Sequence, residues 1–363
     1  MSVKKKKVAI IGTAGLPASY GGFETMTDFL TKFKRNEFQF YVFCGKTVKK
    51  NQLKEYNGAK LIYLPFNANG GQSILYDIVS ITKSWFKYDA LIILGTPGCI
   101  ILPFLNLFKK TKTIVNFGGL EWKRDKWNFF IRKYLKFTEH IAIKNSSYVV
   151  ADNQSFCNYI NKEYFIGSEL IEYGGDHVSH IKASIDLKEK YLFLKKSYFV
   201  SISRAQPDNN LHLLLEAFSK TPNKNLVLVS NWSKFDYGIK LKKQYSYFEN
   251  IYIVDAIYDL SILDVIRSNA KAYIHSHTYC GTAPSLVEAM NLGLPIISYN
   301  VDTNLKTTEN QAIYFSNQSD LIEILNKIND SEITDLGNKM KEIAKKRYTW
   351  KIISNKYSKL INS

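Results

Sequence analysis

Short runs of apolar, often β-branched residues alternate with longer amphipathic segments along most of the chain. Runs of this length, bounded by turn-forming residues, are typical of buried strands, and the segments between them carry apolar residues at helical spacing. This alternation predicts parallel sheets with helices on both sides. In the first half the predicted strands are Lys7–Ile11, Phe38–Phe43, Lys60–Leu64, Ala90–Leu94, Thr113–Asn116 and Tyr148–Ala151.

A second series of strand patterns begins after residue 197, and each of its members is followed by a helix or a turn. Two successive series predict an α/β protein of two doubly wound Rossmann-like domains that face one another across a cleft. The predicted strands of this series are Tyr198–Ile202, Leu226–Ser230, Ile251–Val254, Ala272–His275 and Pro295–Ser298.

The pattern breaks between the two series, where Tyr-Gly-Gly-Asp begins at Tyr173 and a Lys-rich helical segment follows. We place the seam near residue 180, with an N-terminal domain over residues 1–180 and a C-terminal domain over residues 181–349. A chain of 363 residues suits two domains of this size. The last amphipathic segment, residues 350–363, is a predicted helix and a candidate for packing back across the seam.

The composition excludes several classes of protein. With 45% hydrophobic and 22% charged residues, the chain resembles a folded soluble protein. Its four cysteines lie far apart without His at ligand spacing, so neither a zinc site nor a disulfide framework is predicted. The apolar run Val8–Ile11 is too short for a signal peptide, and the apolar stretch 90–108 is interrupted by Gly and Pro, which favours strand, turn and helix over a membrane span. We therefore expect a cytoplasmic protein.

The formal net charge of +17 calls for a polyanionic partner. Basic and aromatic residues are interleaved in Phe104–Lys112 and in Trp122–Phe137, which suits a helix resting on an anionic membrane. The alternative is that both are solvated faces of ordinary helices. Nucleic acid also fits the charge, but no recognisable nucleic-acid-binding motif is present, so none is expected as a partner. The membrane interpretation predicts peripheral association at the inner face of the plasma membrane.

Glycines follow the first predicted strand and precede a helix. They allow a close backbone approach, and the amides of the helix's first turn face an anion. The spacing is Gly-x-x-Gly, so the dinucleotide fingerprint is not met. The alternative is a structural Gly-rich turn. The predicted phosphate or acceptor loop comprises Gly12, Gly15, Gly21, Gly22 and Glu24.

The second half carries a more informative pair of features. Arg204 stands just past the predicted strand Tyr198–Ile202, where open α/β sheets bind ligands, and its guanidinium suits a phosphate. The alternative for Arg204 is a surface salt bridge. A loop and helix start at Gly281 suit a diphosphate, and Glu288 one turn on suits sugar hydroxyls or, alternatively, the helix dipole. The predicted donor-binding residues are Gly281, Thr282, Pro284, Ser285, Leu286 and Glu288.

These residues carry a resemblance. Gly281-Thr-Ala-Pro-Ser-Leu-Val-Glu288-Ala-Met, with Gly293-x-Pro295 behind it and Arg204 upstream, resembles the donor site of the retaining glycosyltransferases of family 4, which have the GT-B fold. The resemblance implies a two-domain enzyme with acceptor-side and donor-side domains. It also implies that Arg204 and the backbone at Gly281 to Leu286 hold the donor diphosphate, that Glu288 holds the ribose, and that no metal or other cofactor is needed.

The N-terminal half resembles a narrower set, the bacterial rhamnosyltransferases of polysaccharide assembly. The stretches that carry this likeness are Ile11-Gly-Thr-Ala-Gly-Leu-Pro-Ala-Ser-Tyr-Gly-Gly-Phe-Glu-Thr25, Gly119-Leu-Glu-Trp-Lys-Arg124 and Trp127. It implies a nucleotide-sugar co-substrate such as dTDP-rhamnose and a lipid-linked saccharide acceptor. The glycine loop would then lie near the leaving phosphate and the acceptor.

Three positions depart from the family pattern. Asn209 stands where many members have Lys, so one charged partner of the phosphate is missing and Arg204 matters more. Arg204 and Asn209 are both predicted to be catalytic. Cys280 stands where a Glu usually contacts the donor sugar. Relatives often carry Asp where this chain has Gly118, and Glu121 is the predicted catalytic substitute. These departures keep open a second interpretation, a nucleotide-sugar-binding subunit with altered catalysis. The net charge of +17 keeps open a third interpretation, a nucleic-acid-binding protein.

Overall fold

The computed structural model describes residues 5–18, 21–46, 53–109, 111–124 and 126–363. Four residues of the sequence patterns above, Ser19, Tyr20, Lys110 and Asp125, lie outside this part of the chain. The contacts divide the protein into two compact units. The N-terminal unit contains the chain up to Tyr173 together with Trp350–Ser363, and the C-terminal unit is Gly174–Thr349. The division thus falls at Tyr173 instead of residue 180, and the chain returns to the N-terminal unit at residue 350.

The N-terminal unit is built on a sheet of eight strands in the order β3-β4-β2-β1-β5-β6-β7-β8, in which only the β3–β4 pair is antiparallel. All six predicted strands are confirmed to within a residue or so at each end. The strands are β1 (Lys6–Ile11), β2 (Phe38–Cys44), β3 (Glu55–Tyr56), β4 (Ala59–Tyr63), β5 (Ala90–Leu94), β6 (Lys112–Asn116), β7 (Tyr148–Ala151) and β8 (Glu169–Leu170).

Helices cover this sheet. Central strand β5 is buried along its whole length, as expected of a strand covered on both faces. The stretch 90–108 forms β5, a 3-10 segment at Pro97–Ile101 and a short helix, so the prediction of strand, turn and helix is confirmed. The helices are α1 (Gly22–Lys34), α2 (Ser73–Ser84), α3 (Leu102–Phe108), α4 (Phe129–Asn145) and α5 (Gln154–Tyr164).

The C-terminal helix, Trp350–Asn362, belongs to the N-terminal unit because of specific side-chain contacts. The Trp350 ring stacks on Phe29 of α1 with 4.6 Å between ring centroids. Asn116 at the end of β6 donates to the Tyr357 hydroxyl at 2.9 Å. In the part of the chain described, no helix is both long and apolar enough to cross a membrane.

The C-terminal unit has six parallel strands in the order β11-β10-β9-β12-β13-β14. The five predicted strands are confirmed: two match at both ends, two are displaced by one residue at one end, and the strand predicted at Pro295–Ser298 is displaced by one residue at both ends. The strands are β9 (Tyr198–Ile202), β10 (Asn225–Ser230), β11 (Ile251–Asp255), β12 (Ala272–His275), β13 (Ile296–Tyr299) and β14 (Ile313–Phe315). The helices are α6 (Ile185–Lys190), α7 (Leu211–Ser219), α8 (Asp236–Tyr245), α9 (Leu260–Ser268), α10 (Pro284–Asn291), α11 (Asp302–Thr307), α12 (Gln318–Lys327) and α13 (Asp330–Arg347).

This strand order is that of the Rossmann fold, in which the order reverses beside the first strand. In the C-terminal unit the reversal lies between β9 and β12, and in the N-terminal unit it lies between β1 and β5. The predicted class of two doubly wound Rossmann-like units is therefore confirmed. The carboxyl ends of these strand pairs are the positions where such sheets bind ligands.

Candidate functional site

The loops that follow β9 and β12 form one hydrogen-bonded rim at the carboxyl edge of the C-terminal sheet. The Thr278 amide donates to the Asp208 carbonyl at 3.0 Å, and the Asn210 side chain donates to the Ser276 carbonyl at 3.0 Å and to the Thr278 hydroxyl at 2.7 Å. The Ser276 hydroxyl donates to the Asn209 carbonyl at 2.5 Å. The loops that carry Arg204 and Gly281 are thus fixed to each other where the strand order reverses, between β9 and β12.

Arg204 lies on this rim with its side chain exposed. Its guanidinium has no hydrogen-bond or ion-pair partner among the described residues, so the alternative of a surface salt bridge finds no support there. Its backbone is held in place, because the Arg204 carbonyl accepts from the Gln206 amide at 2.8 Å and from the Asn209 side-chain amide at 2.7 Å. Because its backbone is fixed and its guanidinium has no partner among the described residues, Arg204 is suited to binding an anion.

Asn209, the other predicted catalytic residue of this loop, is buried. Its amide nitrogen is engaged with the Arg204 carbonyl, so the structure makes it a residue that positions Arg204. A direct contact of Asn209 with substrate stays a prediction.

Helix α10 starts on the same rim. Its N-cap, Ala283, supplies no side-chain hydrogen bond, and Pro284 occupies the first turn. Pro284 has no amide hydrogen, and the Leu286 and Val287 amides donate to the Ala283 carbonyl at 3.1 and 3.2 Å. Within the part of the chain described, this leaves the Ser285 amide and the helix dipole to favour an anion. Gly281, Thr282 and Leu286 are buried, whereas Ser285 is half-buried. Leu286 contributes its side chain to the core, so any role in donor binding falls to its backbone.

Glu288 is buried one turn further along α10, and its carboxylate has protein partners. One oxygen lies 3.3 Å from His177 Nε2, and the other pairs with Arg267. Arg267 also contacts Asp264 at 3.3 Å. Burial raises the pKa of Glu288, but the charges of Arg267 and His177 outweigh it and the net shift is downward. Glu288 is therefore an ionised member of a buried cluster. A carboxylate has about four lone-pair sites, so the predicted acceptance of ribose hydroxyls is still open to it.

Sequence reasoning missed the partners of Glu288. The available signal was Asp264 and Arg267, which lie three residues apart on a helix whose buried face is otherwise apolar. Nothing in the local sequence of His177 distinguishes it.

Several buried polar atoms at this edge have no hydrogen-bond partner within the described chain. Buried polar groups are normally paired, so this concentration marks the edge as one with spare hydrogen-bonding capacity. Burial and the nearby His277 hold the pKa of the His275 imidazole well below its usual value, so it is neutral. The atoms are Ser203 Oγ, Gln206 Oε1, Ser230 Oγ, both ring nitrogens of His275 and Asn304 Oδ1.

In the N-terminal unit, the glycine loop after β1 is explained largely by packing. Gly12 has a φ of +90°, and a Cβ at this position would lie 2.3 Å from the Leu94 carbonyl oxygen of β5. Gly15 also has a positive φ, of +133°. These values favour the structural alternative for Gly12, because only Gly permits this approach of β1 to β5.

Glu24 folds back from α1 onto the same loop. Its carboxylate accepts from the Ala14 amide at 2.7 Å and from the Thr13 hydroxyl at 3.2 Å. A Cβ on Gly21 would lie 2.1 Å from this carboxylate, while Gly22 is the first residue of α1. A phosphate at the Ala14 amide would meet a like charge, so Glu24 caps the loop; phosphate or acceptor contacts by the loop remain a prediction.

Glu121, the predicted catalytic substitute, is engaged within its own loop. Its carboxylate lies 3.2 Å from the Arg124 guanidinium and 2.5 Å from Lys126 Nζ, and it accepts from the Trp127 indole at 3.2 Å. These contacts give Glu121 a structural role in the segment between β6 and α4. A catalytic role for Glu121 stays a prediction.

Asp77 of α2 is a buried acid that the sequence patterns did not indicate. It packs against Gly98, where an added Cβ would lie 2.3 Å from the Asp77 Cβ, and its Oδ1 has no hydrogen-bond partner in the described chain. Burial raises the pKa of Asp77 to about 8, so the carboxyl is mostly protonated near neutral pH.

We expect Asp77→Asn to raise the free energy of unfolding near neutral pH by about 2 kcal/mol. Above pH 3.8 the unfolded chain has lost this proton, whereas the folded protein keeps it up to about pH 8. Unfolding therefore releases a proton in this window, and the contribution of Asp77 to stability falls as the pH rises through it. Urea unfolding at a series of pH values measures the effect, with exposed Asp186→Asn as the control. Identical pH dependence in wild type and Asp77→Asn would contradict it.

Two family descriptions match the chain. Residues 5–176 match the family described as Domain of unknown function (DUF1972), and residues 184–347 match Glycosyl transferases group 1. None of the curated proteins matches the sequence.

Solved structures resemble the whole chain. Sucrose-phosphate synthase from Thermosynechococcus elongatus superposes with a TM-score of 0.82 at 15% identity, covering 99% of this chain and 98% of that one. HepE from Anabaena, in complex with UDP and glucose, gives 0.78 at 15% identity, covering 98% and 99%. A glycosyltransferase from Rickettsia africae gives 0.75 at 14% identity, covering 99% and 98%. At these identities the likeness establishes the fold, which is GT-B as predicted.

Proposed function

We propose that this GT-B glycosyltransferase, with its Glycosyl transferases group 1 domain in the C-terminal half, is a retaining enzyme. Its donor diphosphate binds between Arg204 and the start of α10. One observation carries this proposal. The guanidinium of Arg204 has no partner among the described residues, and the loop that bears it is hydrogen-bonded to the loop that leads into α10. A cation and a helix N-terminus converge there, and both favour a phosphate.

In the proposed reaction the bond between the sugar and the diphosphate breaks as the acceptor oxygen bonds to the same carbon. Negative charge develops on the departing diphosphate, and Arg204 stabilises it together with the Ser285 amide and the dipole of α10. Asn209 keeps the Arg204 backbone in place. Reaction on one face of the sugar retains its configuration, and the departing diphosphate oxygen accepts the proton of the acceptor hydroxyl. These residues supply positive charge without a metal.

We propose dTDP-rhamnose as the donor and a lipid-linked saccharide as the acceptor, at the cytoplasmic face of the membrane. The support is the resemblance of the N-terminal half to bacterial polysaccharide rhamnosyltransferases. The HepE structure contains UDP and glucose, which supports a nucleotide-sugar donor in general. A nucleotide-sugar-binding subunit without transfer is the second candidate, because Glu121 is held by Arg124, Lys126 and Trp127.

We expect dTDP-rhamnose to raise the melting temperature of the protein more than UDP- or GDP-sugars do. A ligand at 100 times its dissociation constant stabilises the folded state by about 2.7 kcal/mol. Thermal shift with each nucleotide-sugar measures binding, and release of the nucleoside diphosphate in the presence of an acceptor extract measures transfer. Binding without release would favour the second candidate. No shift with any nucleotide-sugar would refute the donor site.

A further inference from the structure

Helices α3, α4 and α5 expose aromatic side chains on their outer side. These helices connect β5, β6, β7 and β8, which lie in that order in the sheet, so right-handed crossovers place them side by side on one face. We call the following set the aromatic-basic face: Phe104, Leu107, Phe108, Phe129, Phe130, Lys133, Phe137, Lys144 and Phe165, all of them exposed.

The exposed stripe of α4 has the composition of neither a core nor an ordinary solvated face. Phe130, Lys133, Phe137, His140 and Lys144 follow one another at spacings of three and four, which places them on one side of the helix. Phe130 is 80% exposed and Phe137 is 53% exposed. The opposite side of α4 already fills the core, so these rings are not needed for packing the helix.

Phe165 is exposed at a cost in backbone energy. It ends α5 in the left-handed conformation with a φ of 56°, a position that favours Gly or Asn. Phe165 is 89% exposed, so packing returns little of the energy that this conformation costs a residue with a Cβ. Strain that serves no packing is found mainly at functional positions.

A groove of about 690 Å³ separates α4 from the end of α5. Lys133, His140 and Lys144 line one wall, and Phe137 and Phe165 flank them. The acidic group in the groove, Glu163, is paired with Lys136 at 3.0 Å. Lys144 Nζ donates to the Tyr164 carbonyl at 3.0 Å, and Lys133 Nζ lies 4.6 Å from the centroid of the Phe129 ring, so both lysines are held at the groove. The groove thus combines cations with exposed rings, which suits a phosphate headgroup with apolar chains beside it.

We propose that the aromatic-basic face docks on a bilayer of anionic phospholipid, with the rings at the boundary of headgroups and acyl chains and the lysines among the phosphates. Charge complementarity favours this occupant, because the protein carries a formal charge of +17 and the cytoplasmic leaflet is negative. The same charge opposes a second copy of the chain. The proposal deepens the proposed function, since a lipid-linked acceptor lies at such a surface, but docking is measured without transfer.

Vesicle flotation tests this docking. Wild-type protein is expected to float with phosphatidylcholine vesicles that contain phosphatidylglycerol and not with phosphatidylcholine alone. Phe165→Gly is expected to weaken binding about ten-fold without lowering the melting temperature, because Gly relieves the left-handed strain. Phe130→Ser combined with Phe137→Ser is expected to weaken it further, and Lys133→Gln about five-fold.

Matched controls are Phe86→Ser and Lys346→Gln, which remove an exposed ring and an exposed cation elsewhere. Both are expected to float like wild type. Unchanged flotation of Phe165→Gly and of the double Phe variant would overturn the proposal. So would a dimer, seen by sedimentation, that the double Phe variant abolishes. All face variants are expected to keep the thermal shift with nucleotide-sugar, so failure of the donor site in wild type is distinguishable from failure of docking.

Discussion

Arg204→Ala is expected to lower the rate of sugar transfer by about 100- to 1,000-fold and to leave the free energy of unfolding unchanged. Removing one group that stabilises developing negative charge costs about 2.7–4 kcal/mol of transition-state free energy. The Arg204 side chain is exposed and has no partner among the described residues, so its loss leaves no buried group unpaired. Initial rates of nucleoside diphosphate release and urea unfolding measure the two effects.

Arg35→Ala is the matched control, because Arg35 is exposed and the substitution removes the same charge from the N-terminal unit. Arg204→Lys separates charge from geometry, since Lys keeps the cation and loses the planar fork. Asn209→Ala is expected to slow transfer only while Arg204 is present, because Asn209 acts through the Arg204 carbonyl. Turnover of Arg204→Ala at the wild-type rate would rule out the proposed diphosphate site.

The sequence predicted the sheets well because long buried strands carry their own signal. β5 is apolar at all five positions, and the prediction has its bounds as observed. β3, β8 and β14 were missed. They are two or three residues long, too short to show a period. These strands are defined by their pairing with a neighbouring strand; Glu55 of β3, for example, pairs with Lys60 of β4. The local sequence does not predict such pairing.

For the candidate site, the sequence predicted location better than role. Arg204 and Gly281 follow strands that proved to be neighbours, and parallel neighbours end at one edge of the sheet. What each side chain contacts depends on tertiary packing. Glu24 caps a loop ten residues upstream, Glu121 is bound by its own segment, and Glu288 is paired with Arg267 of a different helix.

Arg267→Ala is expected to lower the free energy of unfolding of the C-terminal unit by about 3–5 kcal/mol. Arg267 is 3% exposed and pairs with both Glu288 and Asp264, so its removal leaves a buried carboxylate without its cation. Burial already raises the pKa of Asp264, so Asp264 becomes neutral more easily than Glu288, whose pKa is lowered. Urea unfolding of the purified full-length variant measures the decrease in the free energy of unfolding. A change below about 1 kcal/mol would mean that the cluster contributes little to stability.

The same cluster decides how Glu288 must be tested. Glu288→Ala removes one partner of a buried ion pair, so lost activity in that variant follows from instability as readily as from lost ribose binding. The double variant Arg267→Met, Glu288→Leu removes both charges of this pair and the acceptor oxygens of Glu288, while Asp264 keeps the hydrogen bond from the Ser179 amide at 2.9 Å. It is expected to recover most of the stability that Arg267→Ala loses. If its affinity for nucleotide-sugar equals that of wild type, Glu288 serves the cluster alone. If affinity falls while the melting temperature is restored, Glu288 binds the donor, and the ion pair with Arg267 orients its carboxylate for that contact.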